Sequence, residues 1–371
     1  MIFRNLVRKS RLWIESKISE TEFQSRMAQI PIARFFAKRD AEKIYDLVAG
    51  FVYSQILFSL VSLGVLHQLR GCSKSSIELS ELNKINEKNM KILCNAAVSL
   101  DLLRLDHDCR YSLGRLGAEI LGVPGLEDMI IHHEVFYRDL AEPIALLRSK
   151  RKTELSQYWP YVLSDKKRTR TSTEDAKIYS ALMASSQMLV SQETLRLVNF
   201  GRFGTIMDVG GGTGTFLSML GKKFQKPKLI LFDLPEVVKN APKILSKDLL
   251  SRTEIVGGNF DKNELPKSAS AITLNRVLYD HDDHKVELIL KKVWNALPKG
   301  GSLIISEPMA GGQRPIKSGD AYFGFYTMAM TTGQPRSVET HRNFLRKTGF
   351  REIRVPRGAR NYVTKVVVAQ K

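Results

Sequence analysis

A glycine-rich loop is the part of the sequence whose residue types most directly suggest chemistry. Segment 205–215 reads TIMDVGGGTGT, an apolar run with Asp208 near its end. The glycines that follow this run are Gly210, Gly211, Gly212 and Gly214. Because glycine has no Cβ, its backbone turns sharply and approaches a ligand closely. In an open α/β sheet such a loop lies beyond the carboxyl end of a strand, so the segment predicts a small-molecule site.

The spacing of the glycines discriminates between two cofactors. A dinucleotide-binding loop follows the pattern GxGxxG and holds pyrophosphate at the N-terminus of the next helix. In this chain Gly214 comes one residue early, and Thr215 occupies the sixth position. The carboxylate of Asp208 would repel a pyrophosphate but attract the ammonium and sulfonium groups of S-adenosyl-L-methionine. The loop therefore favours S-adenosyl-L-methionine over NAD.

Two further polar elements follow the next two apolar runs. Asp233 comes directly after LILF and can accept hydrogen bonds from both hydroxyls of a ribose, in either class of cofactor. The GGNF motif at 257–260 follows the third run, where the edge of an adenine would lie. The loop, Asp208, Asp233 and GGNF thus occur in order at successive strand ends, which strengthens the prediction of a cofactor site.

An alternation of strands and helices must position these residues. From about residue 200 the pattern predicts a doubly wound parallel sheet, a Rossmann-like α/β fold of seven strands. We expect the last two strands to form a hairpin at the sheet edge, joined by a tight turn near Gly358. The predicted strands are 205–209, 228–232, 253–257, 271–275, 302–306, 351–355 and 362–370.

The preceding 200 residues have a helical pattern. Two short helices are predicted around Asn86, followed by a polar turn at 106–110, an order that resembles a winged helix. Winged helices read DNA in many proteins and serve as dimerisation platforms in enzymes. Further helices are expected at 131–148 and 176–198, with a basic loop at 164–175 between them. We predict four regions: a basic leader (1–40), a winged-helix-like dimerisation domain (41–125), a helical substrate-covering region (126–199) and the cofactor domain (200–371).

Charge and hydropathy bear on the binding partners and the cellular location of the protein. The chain has 57 Lys and Arg against 38 Asp and Glu, a net charge of +19. This charge favours binding to polyanions or to an anionic membrane, but a solvated cationic surface explains it equally well. Residues 47–66 contain no charge; we predict a helix buried between subunits, with membrane insertion as the alternative. No signal peptide is evident, and three cysteines without CxxC spacing argue against disulfides and a metal site. These features predict a cytoplasmic protein, with contact between the basic leader and the inner membrane left open.

From about residue 40 to its end, the chain resembles the class I O-methyltransferases of the plant caffeate and acetylserotonin type. The resemblance implies S-adenosyl-L-methionine as cofactor and a homodimer built by the winged-helix part. It places Asp233 on the ribose and Arg276 near the cofactor. Around the adenine it places Gly258, Asn259 and Phe260. The family usually has Asp where this chain has Asn259, which weakens the adenine contact.

Three stretches resemble one subgroup, the carotenoid O-methyltransferases of phototrophic bacteria that act on demethylspheroidene or hydroxyneurosporene. These stretches are AGFVYSQIL (49–57), RVLYDHDD (276–283) and the segment 307–337, which includes GDAYFGFYTMAMTTGQPRS. The resemblance implies methylation of a hydroxyl on an acyclic hydroxylated carotenoid. A bacteriochlorophyllide C-methyltransferase shares parts of the last stretch and stays open as an alternative.

The predicted catalytic residues depart from the phenol-methylating relatives, whose base is a histidine in a motif like HDW. Tyr279 stands at the matching position and is followed by Asp280 and His281. A tyrosine with an ordinary pKa of ~10 is a poor base, although it could orient a hydroxyl. We expect Tyr279 or His281 to accept or relay the proton late in the reaction. Glu307 matches a glutamate that flanks the base, whereas the second flanking glutamate falls at about Pro335.

An aromatic and methionine stretch near the end of the sheet is the predicted substrate wall. Thioether side chains adapt to long apolar ligands, although an ordinary core would have the same composition. The stretch comprises Tyr322, Phe323, Phe325, Tyr326, Met328 and Met330, and an earlier helix adds Tyr179 and Met183.

Three other functions compete with this interpretation. A soluble enzyme that methylates phenols or other natural products would be expected to have histidine where Tyr279 stands. A winged-helix DNA-binding regulator would need a basic wing, but YSLGRLGAEI (111–120) has one arginine and one glutamate. An RNA methyltransferase would explain the net charge, but the chain has no aromatic–basic RNA motif. We therefore expect no nucleic-acid partner.

Overall fold

The computed structural model describes residues 2–150, 152–157, 187–358 and 362–371. The chain divides into two compact units, Met1–Ala118 and Glu119–Lys371. The predicted loop 164–175, Tyr179 and Met183 lie outside the described residues.

The first unit is helical and carries one small hairpin. Its helices are α1 (Ile2–Ile18), α2 (Thr21–Met27), α3 (Pro31–Ser62), α4 (Val65–Gln68), α5 (Ser76–Asn83), α6 (Glu87–Ser99) and α7 (Arg115–Gly122), which crosses the unit boundary. Strands β1 (Leu103–Leu105) and β2 (Tyr111–Leu113) pair antiparallel around the predicted polar turn. Asn86 caps the start of α6 through Lys88 N–H, which confirms the two helices predicted around Asn86.

Helix α3 differs from the predicted apolar helix at 47–66. It starts with Pro31, whose fixed φ suits a first helical position, so the proposed leader boundary at residue 40 falls inside it. It ends at Ser62, because Gly64 adopts a left-handed conformation (φ +67°) before α4. The apolar stretch is therefore not one continuous helix. The first residues of this apolar stretch are exposed in the single chain: Leu47 is 81% and Phe51 73% accessible. Leu60 and Leu66, further along, are buried.

The second unit carries a seven-stranded sheet. Its strands are β3 (Thr205–Val209), β4 (Lys228–Asp233), β5 (Thr253–Gly257), β6 (Ala271–Asn275), β7 (Ser302–Glu307), β8 (Arg351–Arg354) and β9 (Lys365–Gln370). The spatial order is β5-β4-β3-β6-β7-β9-β8: five parallel strands are followed by β9, which is antiparallel to both of its neighbours, β7 and β8. The predicted seven-stranded sheet and the hairpin of its last two strands at one edge are confirmed. Within this hairpin β9 is the inner strand, paired with β7, and its apolar side chains are buried on the sheet.

Helices surround this sheet. They are α8 (Leu126–Leu140), α9 (Pro143–Leu147), α10 (Glu154–Gln157), α11 (residues 187–197 as described), α12 (Thr215–Lys223), α13 (Pro235–Val238), α14 (Lys247–Leu250), α15 (Asp283–Ala296), α16 (Gly324–Met330) and α17 (Val338–Thr348). The predicted helix 131–148 is interrupted after α8, because Pro143 starts α9 and cannot continue the preceding hydrogen-bond ladder.

Strand side chains alternate between two apolar cores. Met207 and Ile230 lie in one core, while their chain neighbours Ile206 and Leu229 lie in the other. This alternation follows from the two-residue period of a strand, and burial on both faces is typical of a parallel sheet covered by helices. The two cores hold the strands firmly, so the residues at their carboxyl ends occupy defined positions.

Candidate functional site

The glycine loop begins where β3 ends and leads into α12. Three of its glycines adopt left-handed backbone conformations, with φ of +70° at Gly210, +61° at Gly212 and +89° at Gly214. Gly211 has an ordinary φ, but a Cβ there would lie 2.7 Å from Asp208 Oδ2. At Gly212 no atom of the described residues comes within 4 Å of a Cβ position, so this part of the loop borders open space. The loop thus has both the conformation and the clearance that a bound ligand requires.

Asp208 lies buried near the end of β3. Its Oδ1 accepts hydrogen bonds from Thr273 Oγ1 (2.5 Å) and Asn275 Nδ2 (2.9 Å), both on the neighbouring β6. Its Oδ2 is buried and has no hydrogen-bond partner among the described residues. Burial raises the pKa of this carboxyl to about 7, despite the two hydrogen bonds, which lower it. A buried carboxylate oxygen of this kind fits a cationic group of a ligand.

Asp233 lies at the end of β4, facing the loop. Its Oδ2 accepts a hydrogen bond from Gly212 N–H and its Oδ1 accepts one from Leu234 N–H, both at 2.7 Å. Burial raises the pKa of Asp233, while these two backbone bonds oppose the rise. The structure therefore brings the acid predicted for the ribose against the middle of the glycine loop.

The GGNF motif forms a tight turn beyond β5. A Cβ on Gly258 would lie 2.7 Å from the Phe232 ring, which explains a glycine at this close approach. Asn259 Oδ1 accepts a hydrogen bond from Asp261 N–H (2.8 Å), so its side chain stabilises the turn. Phe260 packs edge-on against His281, with ring centroids 5.4 Å apart. The motif and His281 therefore form one wall of the site.

Tyr279 lies fully buried in a short 3₁₀ turn, Leu278–Asp280, after β6. Arg276 Nη2 donates to its hydroxyl oxygen (3.2 Å), and the hydroxyl hydrogen-bonds Asp280. Burial raises the pKa of Tyr279 well above its ordinary value, so the phenol stays protonated at neutral pH. Arg276 adopts a left-handed φ of +55°, an uncommon conformation that is found at functional sites.

Glu307 supports this turn from the end of β7. Its Oε2 accepts hydrogen bonds from the N–H groups of Leu278 (3.0 Å) and Tyr279 (3.2 Å). His341 on α17 lies 3.1 Å from Glu307 Oε1, and both side chains are fully buried. Glu307 thus lies behind the turn that carries Tyr279. His341 was not among the residues predicted from the sequence.

Residues 333–336 hold the other side of the same turn. Gln334 N–H donates to Tyr279 O (2.9 Å), and the Arg336 guanidinium donates to Leu278 O (2.8 Å) and His281 O (2.7 Å). A Cβ on Gly333 would lie 2.1 Å from Tyr279 O, so only glycine fits. No glutamate stands at or next to Pro335, but this segment holds the turn through the Gln334 N–H and the Arg336 side chain, which also pairs with Asp283. Sequence reasoning missed Arg336, because two of its acceptors are backbone carbonyl groups that no side-chain pattern shows.

His281 faces a different side of the site from Tyr279. Its ring lies against Phe260, whereas the ring of Tyr279 lies edge-on to Phe323 (6.2 Å between centroids). Burial, with a smaller contribution from Lys285, lowers the pKa of His281 to about 4, so it is neutral at pH 7. The two residues predicted to compete for one proton therefore point to different neighbours.

The predicted substrate wall is a single aromatic cluster. It is built by a π-helical turn, Lys317–Phe323, continuing into α16 and packing against Phe136 on α8. Tyr322 and Tyr326 are stacked, with ring centroids 6.1 Å apart, and Phe323 contacts both edge-on. The cluster contains Tyr322, Phe323, Phe325, Tyr326, Met328 and Met330, of which Tyr326 and Met330 are buried.

Two histidines of α8 meet this cluster and were not predicted. His132 Nε2 lies 2.8 Å from the Tyr326 hydroxyl, and His133 Nε2 lies 2.7 Å from the Tyr322 hydroxyl. The only sequence signal was a pair of consecutive histidines inside a predicted helix. Within the ranges that the structure describes, no group of three or more His, Cys, Asp or Glu side chains could hold a metal ion.

The sheet order and the residues at its strand ends define a nucleoside-cofactor methyltransferase site, and the comparisons with known proteins agree. The model of the O-methyltransferase domain matches residues 137–351. The chain belongs to this O-methyltransferase family.

The relatives found include two named demethylspheroidene O-methyltransferase. The one from Cereibacter sphaeroides is 42% identical over 94% of this chain and 91% of its own length. The one from Rhodobacter capsulatus is 42% identical over 92% of this chain and 85% of its own length. Human N-acetylserotonin methyltransferase, solved in complex with SAM, has the same fold. It gives a TM-score of 0.75 and 21% identity, and the match covers 90% of this chain and 97% of that one.

Proposed function

We propose that this protein methylates a hydroxyl group of an acyclic hydroxylated carotenoid of the demethylspheroidene type, with S-adenosyl-L-methionine as the methyl donor. The observation that carries this proposal is 42% identity to two demethylspheroidene O-methyltransferases along nearly the whole chain. The buried aromatic and methionine cluster beside Tyr279 supports a long apolar acceptor rather than a polar one.

The residues at the strand ends fit the proposed cofactor. Asp208 offers a buried carboxylate oxygen without a partner among the described residues, and a cation would satisfy it. The space beside Gly212 admits a ligand close to the backbone, next to Asp233 for the ribose. Phe260 offers an aromatic face for the adenine. S-adenosyl-L-methionine, when bound, supplies an electrophilic methyl group on its sulfonium.

The chain's own residues position the acceptor for this transfer. An alcohol is too weak an acid to ionise beforehand, so holding its oxygen in line at ~3–3.5 Å from the methyl carbon would supply much of the acceleration. Tyr279, kept protonated by burial, is suited to orient the alcohol by hydrogen bonding rather than to deprotonate it. Glu307 and Arg336 fix the backbone on which Tyr279 sits. We assign His281 to the cofactor side because it packs on Phe260.

Product analysis tests the proposal. The purified protein is incubated with methyl-labelled S-adenosyl-L-methionine and an acyclic hydroxycarotenoid, a phenol such as caffeate, or a bacteriochlorophyllide. We expect a methyl ether of the carotenoid, identified by mass spectrometry. Methylation of phenols alone, or transfer to a carbon of the bacteriochlorophyllide, would contradict the carotenoid assignment. A Gly212→Ala variant, predicted to lose cofactor binding, serves as the negative control.

We also propose that helix α1 attaches the enzyme to the cytoplasmic face of the inner membrane, where an insoluble acceptor would be found. Leu6 and Trp13 are both 63% exposed, and basic residues including Arg8 and Arg11 flank them. Vesicles containing phosphatidylglycerol should carry the protein upward in a flotation gradient, and neutral vesicles should not. Trp13→Glu should abolish flotation, while Ile92→Glu, an equally exposed site on α6, should not. Equal flotation of both variants would refute the role of α1.

The exposed apolar part of α3, around Leu47 and Phe51, is proposed to be covered by a second copy of the chain. Among the described residues, α3 is the one helix long and apolar enough to cross a membrane, but its apolar window also suits a dimer interface. We propose residues 41–125 as the dimerisation domain, 126–199 as the substrate cover and 200–371 as the cofactor domain. Light scattering should give a dimer for the wild type and a monomer for Phe51→Glu. A detergent requirement for both proteins would favour membrane insertion.

A further inference from the structure

A paired histidine–tyrosine arrangement lies beside the candidate acceptor site. His132 and His133 are consecutive on α8, and each hydrogen-bonds a tyrosine hydroxyl, at 2.8 Å to Tyr326 and 2.7 Å to Tyr322. The two tyrosines are one helical turn apart, and Phe136 packs edge-on against both rings. Burial is the main cause that lowers the pKa of both histidines to about 4, so both are neutral at pH 7. Two hydroxyls in an apolar cluster are thus each held by a neutral imidazole.

Both tyrosines contact Phe323 and lie near Arg276, but Tyr279 and Asp280 act on the pKa of Tyr326 and not on that of Tyr322. The Phe323 ring lies edge-on to both Tyr279 and Tyr326, with centroids 6.2 Å from each. The Tyr326 hydroxyl is close enough to Tyr279, Arg276 and Asp280 for their charges to act on its pKa. The groups that face His132 include its neighbour His133, the Tyr326 hydroxyl and the guanidinium of Arg276. The pair formed by His132 and Tyr326 therefore adjoins the reacting region.

Among the described residues, the three candidate bases predicted from the sequence already have other partners. Tyr279 is a protonated phenol hydrogen-bonded to Asp280, and Glu307 accepts two backbone N–H groups behind the turn. His281 packs against Phe260 on the cofactor side. Methyl transfer to an alcohol nevertheless releases a proton inside a site lined by apolar rings. A neutral imidazole that reaches this space through a hydroxyl is the group best placed to take it.

We propose that Tyr326 hydrogen-bonds the methyl-accepting hydroxyl and that His132 receives its proton through Tyr326. The inference rests on the proposed function. As the new oxygen–methyl bond forms and the methyl–sulfur bond breaks, the acceptor's proton moves to the Tyr326 oxygen. The proton of Tyr326 moves at the same time to Nε2 of His132. The sulfonium charge disappears as the imidazolium charge appears, so the net charge of the site does not change and the buried cation is less costly to form.

The test compares His132→Gln and Tyr326→Phe with matched controls from the second pair, His133→Gln and Tyr322→Phe. Glutamine can keep a hydrogen bond to the tyrosine but cannot take a proton at neutral pH. We expect His132→Gln to lower turnover of the alcohol roughly 100-fold, with the affinity for S-adenosyl-L-methionine unchanged by calorimetry. Affinity for the acceptor alone, followed by its visible absorption, should fall in Tyr326→Phe.

The pH profile separates proton transfer from a structural role. Without His132 the proton must go to solvent base, so turnover of His132→Gln should rise with pH above neutrality, whereas the wild type and His133→Gln should stay level. A low but level profile in His132→Gln, or an equal loss in both histidine variants, would overturn the proposal. A wild-type protein that binds the cofactor but methylates no alcohol would instead refute the proposed function, so the two failures are distinct.

Discussion

Replacing Gly212 by alanine tests whether the glycine loop is the surface that meets the cofactor. Gly212 has a φ of +61°, and no described atom lies within 4 Å of a Cβ position there. The substitution therefore introduces backbone strain of about 1–2 kcal/mol without a clash inside the protein. The new methyl group projects into the space proposed for S-adenosyl-L-methionine. Overpacking of this kind costs about 1–3 kcal/mol, which corresponds to a ~5- to ~150-fold increase in Kd.

Gly64, in the first unit, provides a control with a similar left-handed backbone outside the glycine loop. Its φ is +67°, and again no described atom lies within 4 Å of a Cβ position. Gly64→Ala should lose a similar free energy of unfolding, measured by chemical denaturation, while calorimetry gives a wild-type Kd for S-adenosyl-L-methionine. Gly212→Ala should lose a similar free energy of unfolding and should also bind S-adenosyl-L-methionine more weakly. If Gly212→Ala binds the cofactor as tightly as Gly64→Ala does, the loop is not the binding surface and the assignment of the site is wrong.

Three other substitutions test the acid, the turn and its clamp. Burial favours the protonated form of Asp208, whose pKa is about 7 in the fold, so the stability of the cofactor-free protein should fall as pH rises from about 4 to about 7 and then level off. Asp208→Asn should remove this slope. The wild type should release about one proton when it binds S-adenosyl-L-methionine near pH 6, measured by calorimetry in two buffers, and Asp208→Asn should not. Tyr279→Phe removes the hydroxyl that Arg276 contacts and should lower turnover roughly tenfold at an unchanged KM for the cofactor; unchanged turnover would remove Tyr279 from the chemistry. Arg336→Lys cannot reach both carbonyl acceptors with one ammonium group and should also lower turnover about tenfold, whereas Arg342→Lys, at an exposed ion pair, should match the wild type in the same assay.

The parts of the site that were predictable are those that follow strands directly. The first five strands agree with the predicted ranges to within one residue, because each is a short apolar run bounded by turn residues. Asp208 and Asp233 could be placed for the same reason, since the carboxyl ends of parallel strands meet at one edge of a sheet. The position of β9 inside the sheet was not predictable from the hairpin alone, because an antiparallel pair can add to a sheet by either of its strands.

The missed residues share a different origin. His132 meets a tyrosine 194 residues further along the chain, and His341 meets Glu307 from another helix. Arg336 binds backbone carbonyl groups of the turn around Tyr279. Each contact depends on how helices pack on the sheet, and neither residue type nor spacing within one segment encodes that packing. Sequence reasoning therefore predicts the cofactor side from the strand ends, and the acceptor side only from the aromatic stretch.

The turn after β6 shows why residue type alone could not decide the chemistry. The sequence offered Tyr279 and His281 as alternatives for the proton, because both side chains can carry one. Burial raises the pKa of Tyr279, although Arg276 lowers it, so the phenol stays protonated, and His281 packs on Phe260. Burial and neighbours thus leave an orienting hydroxyl at one position and an aromatic contact at the other. In our proposal the proton therefore goes to a base on another element, His132 of α8, whose Nε2 lies 2.8 Å from the Tyr326 hydroxyl.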